Sequence, residues 1–213
     1  MKKRTFLLLF LAALMQVAWA QQNTVESIGK RYKAIKDYIA THTGDDQYDG
    51  ADWGQYHHLT TRQWLPGTGG HVEDIYLYWD EVETNEDLIY PPHWLTFATT
   101  RFNYAARRFY QEYLYDADGS VAFIYAYDPS TAFGEDDVYK EYELRFYLNK
   151  GRVVKAIIKC KDEPDQAYKD EWQGSALPAK YRSALDQYLE KAGSLRELFN
   201  STEKATYERE DGD

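Results

Sequence analysis

Between Arg107 and Cys160, apolar and polar positions alternate with a period of two in four short runs: Arg107 to Tyr115, Val121 to Asp128, Glu141 to Leu148 and Arg152 to Cys160. Successive side chains of an extended chain point to opposite faces, so this period predicts strands. Asp118-Gly119 separates the first two runs, Lys150-Gly151 separates the last two, and the acidic stretch PSTAFGEDDV joins the pairs. A glycine in the left-handed conformation at each short break suits a three-residue hairpin loop, which predicts two β-hairpins. Loops of that length pair Leu148 with Arg152, Phe146 with Val154, Leu144 with Ala156 and Tyr142 with Ile158, an apolar face. The reverse face, Tyr147, Arg145, Glu143 and Glu141 against Val153, Lys155, Ile157 and Lys159, is mixed and wet. In the first hairpin the same rule pairs Tyr115 with Val121, Tyr113 with Phe123, Gln111 with Tyr125 and Phe109 with Tyr127. Its reverse carries Tyr110, Glu112 and Leu114 against Ala126, Ile124 and Ala122. Both faces of this hairpin are aromatic or apolar. It therefore needs cover on each side, as a central strand pair or within a sheet that curls over.

Upstream, Tyr56 to Trp64 and His71 to Trp79 predict a hairpin around the glycine-rich turn LPGTGG, and Trp94 to Asn103 a further strand leading to a bend at Tyr104-Ala105-Ala106. Val25, Ile28, Tyr32, Ile35 and Ile39 recur at spacings of three and four, the stripe of an amphipathic helix from Asn23 to about His42. Asn23 and Glu26 have capping-box spacing, Gly44 is the stop, and Lys30, Lys33, Lys36 and Asp37 lie on the opposite face. Lys161 to Ser175 reads as a polar connector. Pro178 opens a second helix whose stripe is Tyr181, Leu185, Tyr188 and Leu189; Gly193 ends it. Ser194 and Glu197 cap a short third helix with Leu195, Leu198 and Phe199. The expected fold is α+β: a predominantly antiparallel sheet of six or seven strands flanked by an N-terminal helix and a C-terminal helical pair. It forms one domain over residues 21–206, followed by a disordered acidic tail at 207–213.

The first twenty residues change the picture of where the chain works. Lys2, Lys3 and Arg4 precede an apolar run from Thr5 to Val17, and Ala18-Trp19-Ala20 supplies small residues at the positions a signal peptidase reads. A membrane anchor needs about 20 apolar residues, and no later stretch is apolar enough, so no transmembrane segment is expected in the mature chain. The pattern predicts export with cleavage between Ala20 and Gln21, to the periplasm or beyond. Cleavage removes those three cations and no acid, so the net charge moves from −10 to −13. A chain this acidic repels nucleic acid. Cys160, the only cysteine, ends an apolar strand and is expected to be a small buried hydrophobe, with no intrachain disulfide to form.

Candidate chemistry is sparse. No Gly-x-Ser-x-Gly elbow is present, the GTGG run lacks the Lys-Ser/Thr ending that grips phosphate, and no cofactor motif occurs. LPGTG spells a sorting signal but lies far from the C-terminus. Asp45, Asp49 and Gly50 fit three places of a calcium loop, with Gln47 and Tyr56 where acids belong. Glu135, Asp136 and Asp137 form a solvated acidic turn. If Trp64 pairs with His71, His58 lies opposite Leu77, roughly 20 Å from His71 at about 3.3 Å per residue, too far to share one metal.

What exceeds expectation is tyrosine, 20 in 213 residues. Tyrosine couples a rigid apolar ring to a polar tip, which suits both packed sheets and ligand platforms. With Arg101, Arg107, Arg108 and Arg145 on or beside the strands, two readings stand. The aromatics are cross-strand packing and the arginines pair with local glutamates, or Tyr113, Tyr125, Tyr127, Arg107 and Arg145 form a binding surface for a glycan, a peptide carboxylate or an envelope protein.

The segments RFYQEYLYDADGSVAFIYAYD and YELRFYLNKGRVVKAIIK resemble those of uncharacterised exported proteins of Gram-negative bacteria. Through aromatic, Asp and Gly spacing they also resemble MORN-type and YD-type hairpin repeats over 107–160. That resemblance implies hairpins. The full repeat glycine pattern is missing, so the lipid and toxin associations of those families do not carry over. The function expected is a non-enzymatic binding or structural module of the cell envelope. The alternative is an extracytoplasmic hydrolase or metal-dependent enzyme built on His57 or His58 with the Asp45 to Asp52 loop.

Overall fold

In the computed structural model, residues 24–42, 55–83, 91–129 and 140–207 are described. They form α1 (Val25–Thr41), eight strands β1 (Tyr56–Leu65), β2 (Gly69–Glu81), β3 (His93–Tyr104), β4 (Arg107–Tyr115), β5 (Val121–Asp128), β6 (Glu141–Asn149), β7 (Arg152–Lys161) and β8 (Lys169–Gly174), and α2 (Ala179–Tyr207). The strands make one antiparallel meander in strict sequence order. The α+β expectation holds, with eight strands and two helices. The Asp45 to Asp52 loop, the Glu135 to Asp137 turn, residues 1–23 and the end of the acidic tail lie outside the described residues.

Each face of the sheet has its own helix. On one, Ile28 of α1 packs into Tyr78, Phe97, Leu114, Ala122 and Phe123, with Tyr32, Ile35 and Ile39 beside it. On the other, Tyr181, Leu185, Tyr188, Ala192, Leu195 and Phe199 of α2 meet Tyr113, Ile124, Leu144, Phe146 and Ile158. This double cover answers the two apolar faces of the β4–β5 hairpin. Among the described residues no helix is long and apolar enough to cross a membrane.

Several local expectations are corrected. The helix cap is Thr24, reciprocally bonded with Ser27, in place of Asn23 with Glu26. Lys36 turns inward, its Nζ 2.7 Å from Glu112 Oε1. The β4–β5 turn keeps the expected three-residue loop, 117–119, closed by the Asp116 amide donating to the Ser120 carbonyl, with Gly119 at φ 78°. A bulge then pairs Tyr115 with Val121 but Leu114 with Phe123, which reverses the faces: Tyr113 sits beside Ile124, and Glu112 beside Tyr125. In the β6–β7 hairpin the loop is Lys150-Gly151 alone, both at positive φ (48° and 75°) as a type I′ turn requires. With its own bulge the pairing slides by two, Phe146 meeting Ala156 and Leu144 meeting Ile158. Because two is the strand period, the apolar face survives.

The β1–β2 register differs by one: Trp64 faces Gly70 and His58 faces Tyr76, still far along the hairpin from His71, which faces Gln63. Strand β8 lies inside the expected polar connector. Gly193 does not end a helix: α2 runs unbroken for 29 residues, because Tyr188, Ala192, Leu195 and Phe199 keep one buried stripe in phase through it. A mid-helix glycine costs about 1 kcal/mol relative to alanine, less than the burial of Leu195 and Phe199 contributes. Cys160 is buried and free.

Candidate functional site

Along the α2 face, one polar pair interrupts the apolar ladder of β3 and β4 near their shared hairpin: Ala98, Thr100 and Phe102 run beside Tyr113, Gln111 and Phe109. Helix α2 passes there with small and polar residues, Ser183, Ala184 and Gln187. The two layers fail to close, leaving adjoining hollows of about 250 and 230 Å³ that share Phe102, Gln111, Gln187 and Tyr188. Asp128, Phe109 and Lys180 extend one end, and His71, Glu73 and Lys191 the other.

The lining is organised. Phe102 and Phe109 face each other across the ladder with rings parallel within 5° and centroids 4.8 Å apart. Gln111 is 8% exposed. Its Oε1 accepts from the Tyr113 hydroxyl at 2.6 Å and from Thr100 Oγ1 at 3.4 Å, which orients the amide and leaves Nε2 for the cleft. Tyr188 donates to Asp128 Oδ2 at 3.2 Å, whereas Asp128 Oδ1 is buried with no donor. Burial first, then the Asp128 charge, holds the Tyr188 phenol well above its ordinary range, so it stays a donor. The two cations are already engaged, Lys180 with Glu171 at 2.8 Å and Lys191 with Glu73 at 2.7 Å. The cleft thus offers an aromatic wall and an amide donor, with one unfilled carboxylate oxygen buried at its Asp128 end and its positive charges neutralised.

The residues singled out from sequence fall into two groups. Tyr113, fully buried, orients Gln111 and touches no surface. Exposed Arg107 lies at the hairpin tip on the same face as Phe109. Tyr125, Tyr127 and Arg145 are on the opposite, α1 face, so the five do not form one surface. There Arg145 lies 5.2 Å over the Tyr125 ring and 3.0 Å from Glu143. Tyr125 also donates to Glu143 at 3.4 Å, and its phenol is pushed up to about 12 by burial and then by that carboxylate. Tyr127 is likewise pushed up to about 12 by burial and Glu141. Arg101 stands over Tyr110. On this face Arg145, Tyr125 and Tyr127 satisfy the local glutamates Glu143 and Glu141.

His57 and His93 share Glu203, His57 Nε2 at 2.5 Å from one oxygen and His93 Nδ1 at 2.6 Å from the other. Trp79 stacks on His93 with centroids 3.6 Å apart. The carboxylate separates the two imidazoles, and among the described residues no trio of His, Cys, Asp or Glu is arranged to hold a metal ion. His58 instead reaches Asp74 at 3.3 Å. Sequence reasoning missed Gln111, Asp128, His93 and Glu203. The available signals were polar residues in apolar registers: Gln111 on a core face, and Glu203 one turn beyond Phe199 on the buried stripe.

No family model, curated protein or solved structure matches this chain.

Proposed function

We propose that the protein is an exported, non-enzymatic binding module whose cleft between α2 and the β3–β4 hairpin takes a neutral, hydroxyl-rich ligand of the saccharide class. The unfilled Asp128 Oδ1 beside the stacked Phe102–Phe109 wall carries this reading. A buried acceptor without a donor costs about 1–3 kcal/mol, which an incoming hydroxyl recovers when the Asp128 carboxylate turns that oxygen into the cleft, while a sugar's C–H face packs on the rings. Because Lys180 and Lys191 are bound to glutamates, the cleft has little to offer an anionic ligand. The basic n-region, apolar run and Ala-Trp-Ala of residues 2–20 support export.

Titration calorimetry of the mature chain against a panel of mono- and oligosaccharides tests it. Asp128→Ala and Phe109→Ala are each expected to weaken binding about 10-fold or more, the equivalent of one charge-assisted hydrogen bond or aromatic contact. Tyr125→Ala and Arg145→Ala should leave binding unchanged. Binding lost only in the latter two would move the site to the α1 face, and no binding to any member would end the saccharide reading.

A further inference from the structure

The two terminal strands of the meander are built differently. β8 is six residues long, carries Lys169, Asp170 and Glu171, and is bulged against β7. Short length, charge and bulging are how sheets refuse a further strand. β1 is ten residues long and pairs with β2 without a bulge. It contains no proline or lysine, and its one formal charge is Arg62. Thr60 to Trp64 are all exposed, and Trp64, at 78%, is the most exposed large hydrophobic among the described residues.

An aromatic rung also ends open at this edge. On the α1 face, Tyr147, Phe123, Leu114, Phe97, Tyr78 and Tyr56 are successive cross-strand neighbours from β6 to β1. Tyr56 stands 5.4 Å from Tyr78 and 5.6 Å from Tyr76 by ring centroid, and among the described residues no strand lies beyond it.

We propose that β1 is the interface of a homodimer, two copies pairing antiparallel about a two-fold axis through Thr60 so that two sheets become one. Paired residues must lie on the same face, so their numbers sum to an even value. With the axis at Thr60, each Tyr56 meets the Trp64 of the other copy, each His58 meets its Arg62, and Thr60 meets Thr60. This register continues the aromatic rung across the junction and covers the exposed indole. It is isologous, so both copies use the same patch and the assembly closes at two.

Sedimentation of the mature chain at about 100 µM, combined with single-cysteine cross-linking, tests it. Cys160 is buried, so an added thiol is the reactive one. Thr60→Cys should oxidise to a disulfide-linked dimer, since directly opposed residues have Cα atoms about 4.5–5.5 Å apart. Trp64→Cys should not, because its two copies lie roughly 26 Å apart along the strands at about 3.3 Å per residue. Trp64→Ala, and Thr60→Lys, which opposes two cations at the axis, should each weaken dimerisation at least tenfold with the melting temperature of the monomer unchanged. A monomer at that concentration overturns the proposal, including one that captures an unrelated extended peptide on this edge. Preferential cross-linking at Thr61→Cys or Trp64→Cys overturns the register.

Discussion

Glu112 does most to hold the α1 face together. It is 2% exposed and receives Tyr32 at 2.5 Å, Lys36 at 2.7 Å and Tyr110 at 2.7 Å. Burial together with the Glu112 carboxylate holds both phenols far above their ordinary range, so neither competes for the negative charge. Glu112→Gln keeps the volume but removes the attraction for Lys36 and presents an amide donor to donors. We expect a loss of about 2–3 kcal/mol in urea denaturation. On the other face Tyr113→Phe should cost about 1 kcal/mol and weaken ligand binding severalfold. The hydroxyl it removes is the one that turns Gln111 toward the cleft. A Tyr113→Phe variant with unchanged affinity would show that Gln111 does not read the ligand.

At the scale of elements, the strand runs and both helix stripes were legible because alternation and three-to-four spacing survive in the chain itself. Pairing was less so. A bulge inserts one residue without any residue type that announces it, so the β4–β5 faces came out reversed, and Tyr113 was placed beside Tyr125 and Tyr127 although it lies on the other side of the sheet. In β6–β7 a shorter loop and a bulge each moved the register by one and left the core face intact. β8 was illegible because an edge strand with exposed faces has little apolar pattern to show. Gly193 misled because a glycine within a helix and one ending it look alike until the stripe on both sides is followed. This last point is testable: a Cβ at Gly193 would meet nothing within 4 Å. Gly193→Ala should therefore stabilise the protein by about 0.5–1 kcal/mol, read from the denaturation midpoint. A helix cap there would give the opposite sign. Gly151→Ala, at φ 75° in the type I′ turn, should destabilise.

At the scale of the whole molecule, the described residues form a tyrosine-rich sheet clasped between two helices, and that sets the response to alkali. The phenols of Tyr78, Tyr125, Tyr127 and Tyr142 are each pushed up to about 12, burial being the first cause in every case. In the unfolded chain they ionise near the ordinary value of about 10. A raised folded value means that their contribution is fully present below about pH 10 and is lost as the pH climbs toward 12. Denaturation midpoints should thus be flat up to about pH 9 and fall steeply between about 10 and 12, with phenolate absorbance rising together with unfolding. Phenolate absorbance completed near pH 10 on an intact fold would contradict this.

The cleft is the centre of the functional reading, and chemical-shift mapping reads it without any substitution. Amide spectra of residues 21–213 titrated with the saccharide panel should show one member shifting Phe102, Gln111, Asp128, Ser183 and Gln187 in a saturable manner, leaving Tyr125, Tyr127 and Arg145 unmoved. Shifts confined to the latter three, or no saturable shift at millimolar sugar, would contradict a binding site between α2 and the β3–β4 hairpin.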